Sequence, residues 1–184
     1  MTAICVYCAS GPVDERYLTL AAEVGTAIGS AGHELVSGGG NVSMMGAVAQ
    51  ATRAAGGRTI GIIPKKLVHR EVADTDADEL VVTDTMRERK ALMDERADAF
   101  ITLPGGIGTL EELFETWTGG YLGMHDKPMV LLDPFDHYRP LLNWLRDLQA
   151  QGFVADRALK KLHLTDDVAD AVEYCATKPQ SPAG

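Results

Sequence analysis

Two rhythms of apolar and polar positions alternate along this chain. Short β-rich runs, ICVYC, HELVS, RTIGIIP, ELVVT, AFITL and PMVLLD, predict strands, several of them apolar at nearly every position and therefore buried on both faces. Between them the apolar residues recur every three or four positions. Ala21, Val24, Ala27 and Ile28 do so within a helix expected from Asp14 to Ala31. Further helices are expected over Met44–Ala55, Thr85–Ala97, Thr109 to about Tyr121, Tyr138–Gln151 and Asp166–Ala176, with a short strand-like segment KLHLT before the last. Gly56–Gly57 and Gly152 read as helix stops, and Pro64 closes the third strand.

Strand–helix alternation joined by short glycine-bearing turns predicts an α/β fold. The expected form is a single Rossmann-like, doubly wound parallel sheet with helices on both faces, spanning residues 1–176. Residues 65–85 are the least regular stretch, and the tail TKPQSPAG, residues 177–184, is expected to be disordered. In such a fold ligands lie at the carboxyl ends of the strands. Three glycine-bearing turns fall there: CASGP, SGGGN and PGGIGT.

Composition narrows the function. The 184 residues carry a net charge of −9, which excludes the broad basic face of a nucleic-acid binder. No apolar run approaches a membrane span, and MTAICVYCAS lacks the basic start of a secretory signal, so a cytoplasmic protein is expected. Cys5 and Cys8 sit inside a strand-like run rather than at a helix start, so they read as ordinary buried cysteines. With Cys175 as the third cysteine and no further Cys/His pair at ligand spacing, no metal site is expected.

PGGIGT follows a strand and opens a helix. Gly105, Gly106 and Gly108 permit positive φ and close approach of backbone to a ligand, and the helix start offers free N–H groups at a positive dipole end. That is the machinery of an anion site, most often phosphate. The spacing matches neither a dinucleotide fingerprint nor a P-loop. Gly38, Gly39 and Gly40 offer a second close approach, and Ser10 and Gly11 a weaker third. Glu112 is open to two readings. T-L-E-E fits a capping box, with Thr109 as N-cap and Glu112 at N3. Yet Glu111 and Glu112 sit beside a candidate anion loop, and MRERK, with Arg87, Arg89 and Lys90, lies just upstream. Together these make an anion cradle with a carboxylate beside it. Lys65, Lys66, His69 and Arg70 read as a solvated loop.

PGGIGTLEE, MRERK upstream of it and SGGGNVSMMG together resemble the Lonely Guy family, the cytokinin riboside 5′-monophosphate phosphoribohydrolases, whose members are often labelled lysine decarboxylases. The resemblance covers roughly residues 3–165 and includes VYCAS, IPKKLVHRE and LGMHDKP. It implies hydrolysis of a nucleoside 5′-monophosphate to free base and ribose 5-phosphate, without a cofactor, by a homodimer or larger assembly. It implies Arg89 and Glu112 as the catalytic pair. Glu71, Lys90, Thr118 and the run Gly105, Gly106, Ile107, Gly108, Thr109, Leu110 and Glu111 are implied as substrate contacts, with Ser10 and Gly38–Gly40 as further lining. Two positions depart from the usual pattern: Arg87 stands where M-H-x-R-K has His, and GGGNVSMMG carries Ser43 and Met44 where G-G-G-x-x-G-L-M-G has Gly and Leu.

The chemistry is consistent with those residue types. Cleaving an N-glycosidic bond builds positive charge at C1′, which a carboxylate stabilises while helping to activate water. Arg89 could meet the leaving base, or hold the ribose phosphate. A non-catalytic nucleotide-binding module uses the same loops, with Glu112 only a cap. A decarboxylase would need pyridoxal phosphate on a lysine, and no lysine in the chain has that context.

Overall fold

The computed structural model describes residues 1–177; the tail beyond Thr177 lies outside the described residues. Seven strands form one parallel sheet in the order β4-β3-β2-β1-β5-β6-β7. They are β1 (Ala3–Tyr7), β2 (Glu34–Ser37), β3 (Arg58–Pro64), β4 (Glu79–Thr83), β5 (Ala99–Thr102), β6 (Met129–Leu132) and β7 (His163–Thr165). The helices are α1 (Glu15–Ser30), α2 (Ser43–Ala54), α3 (Met86–Arg96), α4 (Ile107–Tyr121), α5 (Arg139–Ala150), α6 (Asp156–Leu159) and α7 (Val168–Ala176). This is the expected doubly wound α/β fold.

The apolar strands divide their side chains between two cores. In β1, Ile4 and Val6 join the core under α1, α2 and α7, whereas Cys5 and Tyr7 join the core under α3, α4 and α5. That alternation places Cys5 and Cys8 on opposite faces, both free and buried, as their sequence context implies. α1 and α2 pack closely because Gly25 and Gly29 carry no side chain. A Cβ on Gly25 would stand 2.3 Å from the Val48 carbonyl oxygen, and one on Gly29 2.5 Å from that of Thr52.

From β1 the chain winds outward through β2, β3 and β4, then returns to place β5 on the other side of β1. The topological switch point therefore lies between β1 and β5, where open α/β sheets hold their ligands. The loops after β1, β2 and β5 meet there.

The helix starts differ from expectation at one position that matters. The capping box lies on α3: Thr85 Oγ1 accepts from Glu88 N at 3.1 Å, and the Glu88 carboxylate accepts from Thr85 N at 3.3 Å. α4 instead begins at Ile107, with Gly106 as an N-cap that has no side-chain bond. Thr109 is thus already in the first turn and Glu112 lies a further turn along, so the capping-box reading of Glu112 is wrong. The physical reason lies at Gly105, where the missing Cβ leaves room for the Thr109 side chain inside the first turn. α6 was not legible, being a single turn without a capping side chain.

Candidate active site

A cleft of about 420 Å³ opens at the switch point. Arg89 is its most constrained charged group. The residue is 5% exposed, and its guanidinium donates from Nε to the Ile62 carbonyl at 3.1 Å and from Nη2 to the Gly38 carbonyl at 3.2 Å. Its Nη1 lies 3.5 Å from Glu112 Oε1. Two backbone carbonyls at the ends of β2 and β3 thus fix the plane of the guanidinium and leave one edge for Glu112 and the cleft.

The glycines of SGGGN pack closely on protein neighbours, and Gly38 makes room for the socket of Arg89. A Cβ on Gly38 would stand 1.8 Å from Arg89 Nη2. Gly39 has φ of +73° and packs against Ile62, and a Cβ on Gly40 would meet Met45 Cε at 2.6 Å. Of the three, Gly38 alone reaches the cleft wall. Gly46, in the first turn of α2, packs against Asn41 of the same loop.

PGGIGT opens onto the cleft, but not by the backbone conformation expected of it. None of its glycines has positive φ. Gly105 is required because a Cβ would stand 2.1 Å from Thr109 Oγ1. Gly106 and Gly108 line the cleft with open space where a Cβ would be, and the uncapped start of α4 faces the same space. Ile107 and Thr109 also line it; Leu110 packs on the core instead. Ser10 reaches the opposite rim.

Glu112 projects from the second turn of α4 into the cleft beside Arg89, with its side chain 12% exposed. Burial pushes its carboxyl up to about 7; Arg89 opposes the rise, and Glu111 and Glu71 add to it. The arginine does not prevail because it meets Glu112 through one long contact and spends its shorter bonds on backbone carbonyls. Cys8 also lines the cleft, but burial holds its thiol far above the ordinary range, so it is no nucleophile.

Glu71 forms part of the cleft wall. Burial raises its carboxyl, against the pull of Arg89 and Arg70, and its Oε2 is buried without a hydrogen-bond partner. Such an oxygen is matched by a ligand donor such as a sugar hydroxyl. Its loop is held firmly. Asn41 N donates to the carbonyls of Glu71 and Val72, Asp74 N donates to the Gly39 carbonyl, and Arg53 clamps buried Asp74 at 2.8 and 3.2 Å. Val72 has φ of +48°, a strained conformation for a β-branched residue, directly after Glu71.

MRERK divides as its helical spacing requires. Arg89 enters the cleft, while Arg87 and Lys90 line a neighbouring recess of about 650 Å³ that shares only Met93 and Glu112 with it. Lys90 is bound between Glu111 and Glu115, so the expected three-cation cradle reduces to Arg89. Glu111 sits at the cleft rim. Thr118 lies on another face of α4 beside an apolar groove with Phe114, Tyr121 and Phe153, and is not brought to the cleft.

The sheet order and this cleft define a Rossmann-like α/β protein with a buried arginine–glutamate pair beside an uncapped helix start. Residues 45–175 match the family model described as possible lysine decarboxylase. The chain is 58% identical over 173 residues to the cytokinin riboside 5′-monophosphate phosphoribohydrolase of Mycobacterium tuberculosis, covering 94% of this chain and 92% of that protein. It is 42% identical to the corresponding LOG1 enzyme of Arabidopsis thaliana, over 84% of this chain and 73% of that one. Among solved structures, a molybdenum cofactor binding protein from Rippkaea orientalis matches with a TM-score of 0.70 and 27% identity, over 94% of this chain and 93% of that one. The chain belongs to the Lonely Guy family of phosphoribohydrolases.

Proposed function

We propose that this chain hydrolyses the N-glycosidic bond of cytokinin riboside 5′-monophosphates, and of AMP, to free base and ribose 5-phosphate. The observation that carries the proposal is the buried Arg89–Glu112 pair, facing a cleft whose far wall is the uncapped start of α4. Phosphate on the N–H groups of Gly106 to Thr109 tethers the sugar, and the orphaned Glu71 oxygen accepts from a ribose hydroxyl. The C1′–N bond breaks, positive charge grows at C1′, and the Glu112 carboxylate stabilises it and takes a proton from the attacking water. Water oxygen bonds C1′, and the proton taken by Glu112 passes to the departing base, which leaves as the neutral base and returns Glu112 to its carboxylate. Arg89 holds Glu112 in place and presents Nη1 to the same space.

The decarboxylase label of the family model fits these residues poorly. Pyridoxal phosphate needs a lysine for its Schiff base. No lysine is among the residues lining the cleft, and Lys90 is committed to two glutamates next door.

Incubating the protein with AMP and with isopentenyladenosine monophosphate, followed by chromatography, tests the reading. Free base and ribose 5-phosphate are expected from both. Two intact nucleotides that nonetheless bind would make the chain a nucleotide carrier instead.

We also propose a cytoplasmic homodimer. Trp144, Leu122, Met124 and Phe153 are exposed apolar side chains that a second copy of the chain would cover. Sedimentation velocity is expected to give twice the chain mass; a monomer at micromolar concentration would refute it.

A further inference from the structure

The start of α4 donates to an anion only if its peptide planes are turned the right way, and the chain that turns them comes from a distant loop. His137 Nε2 lies 2.9 Å from the Gly105 carbonyl oxygen, and Tyr138 donates its hydroxyl to the Leu103 carbonyl at 2.8 Å. A carbonyl can only accept, so His137 Nε2 carries the proton. The described residues contain no cis peptide, so the Gly105–Gly106 peptide is trans, with its C=O and N–H pointing in opposite directions. His137 does not line the cleft, whereas Gly106 does. Drawing the Gly105 oxygen toward His137 therefore aims the Gly106 N–H away from it, toward the cleft.

The brace is itself anchored. The two carboxylate oxygens of Asp133, at the end of β6, accept from the backbone N–H groups of His137 and Tyr138 at 2.9 and 2.7 Å. The His137 ring stands edge-on to Tyr138 at 4.7 Å and to Tyr17 at 6.2 Å. A chain of fixed groups thus runs from β6 to the loop after β5, and none of them needs to touch substrate.

We infer that His137 is a positioning residue that sets the phosphate site by orienting the Gly105–Gly106 peptide, with Asp133 and Tyr138 supporting it. The inference rests on the proposed reading of α4 as the phosphate site. Its signature is selective: binding of the phosphate group depends on His137, and chemistry on the bound substrate does not.

The experiment measures ribose 5-phosphate and adenosine affinity by calorimetry, with KM and kcat for AMP, in the wild type, His137→Ala and His137→Gln. His137→Ala is expected to weaken ribose 5-phosphate and raise KM about tenfold, the size of one hydrogen bond to a charged group. Adenosine affinity and kcat are expected to stay within twofold. Glutamine, which keeps an N–H donor, is expected to restore most of the loss. Tyr138→Phe removes only a hydroxyl and is expected to act in the same direction more weakly, which serves if the alanine variant does not fold. Unchanged ribose 5-phosphate affinity in His137→Ala, a fall in kcat at constant KM, or a glutamine variant no better than alanine would each overturn the inference. A wild type that binds ribose 5-phosphate but hydrolyses nothing sinks the hydrolase reading alone. A wild type that neither binds ribose 5-phosphate nor hydrolyses AMP sinks both, and one that hydrolyses AMP without binding ribose 5-phosphate sinks the inference alone.

Discussion

Glu112→Gln is expected to lower turnover by about 10²–10⁴-fold while making the protein more stable at pH 8. Both effects come from one cause. The carboxylate is buried on a helix against an arginine that contacts it only at 3.5 Å, and burial lifts its carboxyl to about 7. In the unfolded chain it titrates near 4.5. The folded state therefore binds this proton more tightly than the unfolded one, and stability falls as pH rises from 4.5 to about 7. Below 4.5 both states are protonated and the penalty vanishes; above about 7 it is complete, at roughly 3 kcal/mol as an upper figure. Glutamine is neutral throughout and escapes it. Thermal unfolding of the two proteins is expected to diverge by several degrees at pH 8 and to converge at pH 4. Catalysis runs the other way with pH, since the ionised form does the work. The kcat/KM of the wild type is expected to rise through a midpoint at about 7. A glutamine variant that keeps its activity would remove Glu112 from the reaction, and one no more stable at pH 8 would mean that burial does not raise its carboxyl.

That trade between stability and activity is visible in the structure and was only half visible in the sequence. The sheet was legible because each strand is a short β-rich run, and the two-face burial of β1 follows from its unbroken apolar character. RTIGIIP is β3 from first residue to last. Arg89 and Glu112 could be nominated from MRERK and PGGIGTLEE, and the structure brings them together. What the sequence could not convey was how the pieces serve one another. A capping box fits Thr109 and Glu112 as well as Thr85 and Glu88, because nothing local says that α4 starts at Ile107. Three adjacent glycines read as a ligand loop when their close neighbours are Arg89, Ile62 and Met45. Lys90 looked like a cation for substrate because the two carboxylates that bind it lie 21 and 25 positions away along the chain. His137 and Tyr138 carry no local signal at all: their partners, Gly105 and Leu103, are more than thirty residues away.

Gly38→Ala is the test that separates a socket for Arg89 from a loop for phosphate. Gly38 does not have positive φ, so alanine meets no backbone penalty there. The added methyl would instead lie 1.8 Å from Arg89 Nη2 and 3.0 Å from its Cζ. Those atoms end a flexible side chain, so the fold yields by expelling the guanidinium rather than by unfolding. Expulsion breaks the bonds to the Gly38 and Ile62 carbonyls and leaves two buried acceptors to find other partners, at about 1–3 kcal/mol. It also removes the stronger of the two cations, Arg89 and Lys90, that hold the Glu112 carboxyl down, so less of the carboxylate is ionised at neutral pH. Turnover is expected to fall at least a hundredfold, in line with loss of a fixed electrostatic group at a reacting centre, with the circular dichroism spectrum unchanged. The pH midpoint of the residual activity is expected to move above that of the wild type, which simple misfolding would not do. Gly106→Ala is the contrast: its Cβ meets nothing within 4 Å of the protein at a residue that lines the cleft, where phosphate is proposed to bind, so it is expected to raise KM and leave the pH midpoint in place. Full activity in Gly38→Ala would mean that Arg89 works from some other position than the socket that holds it here.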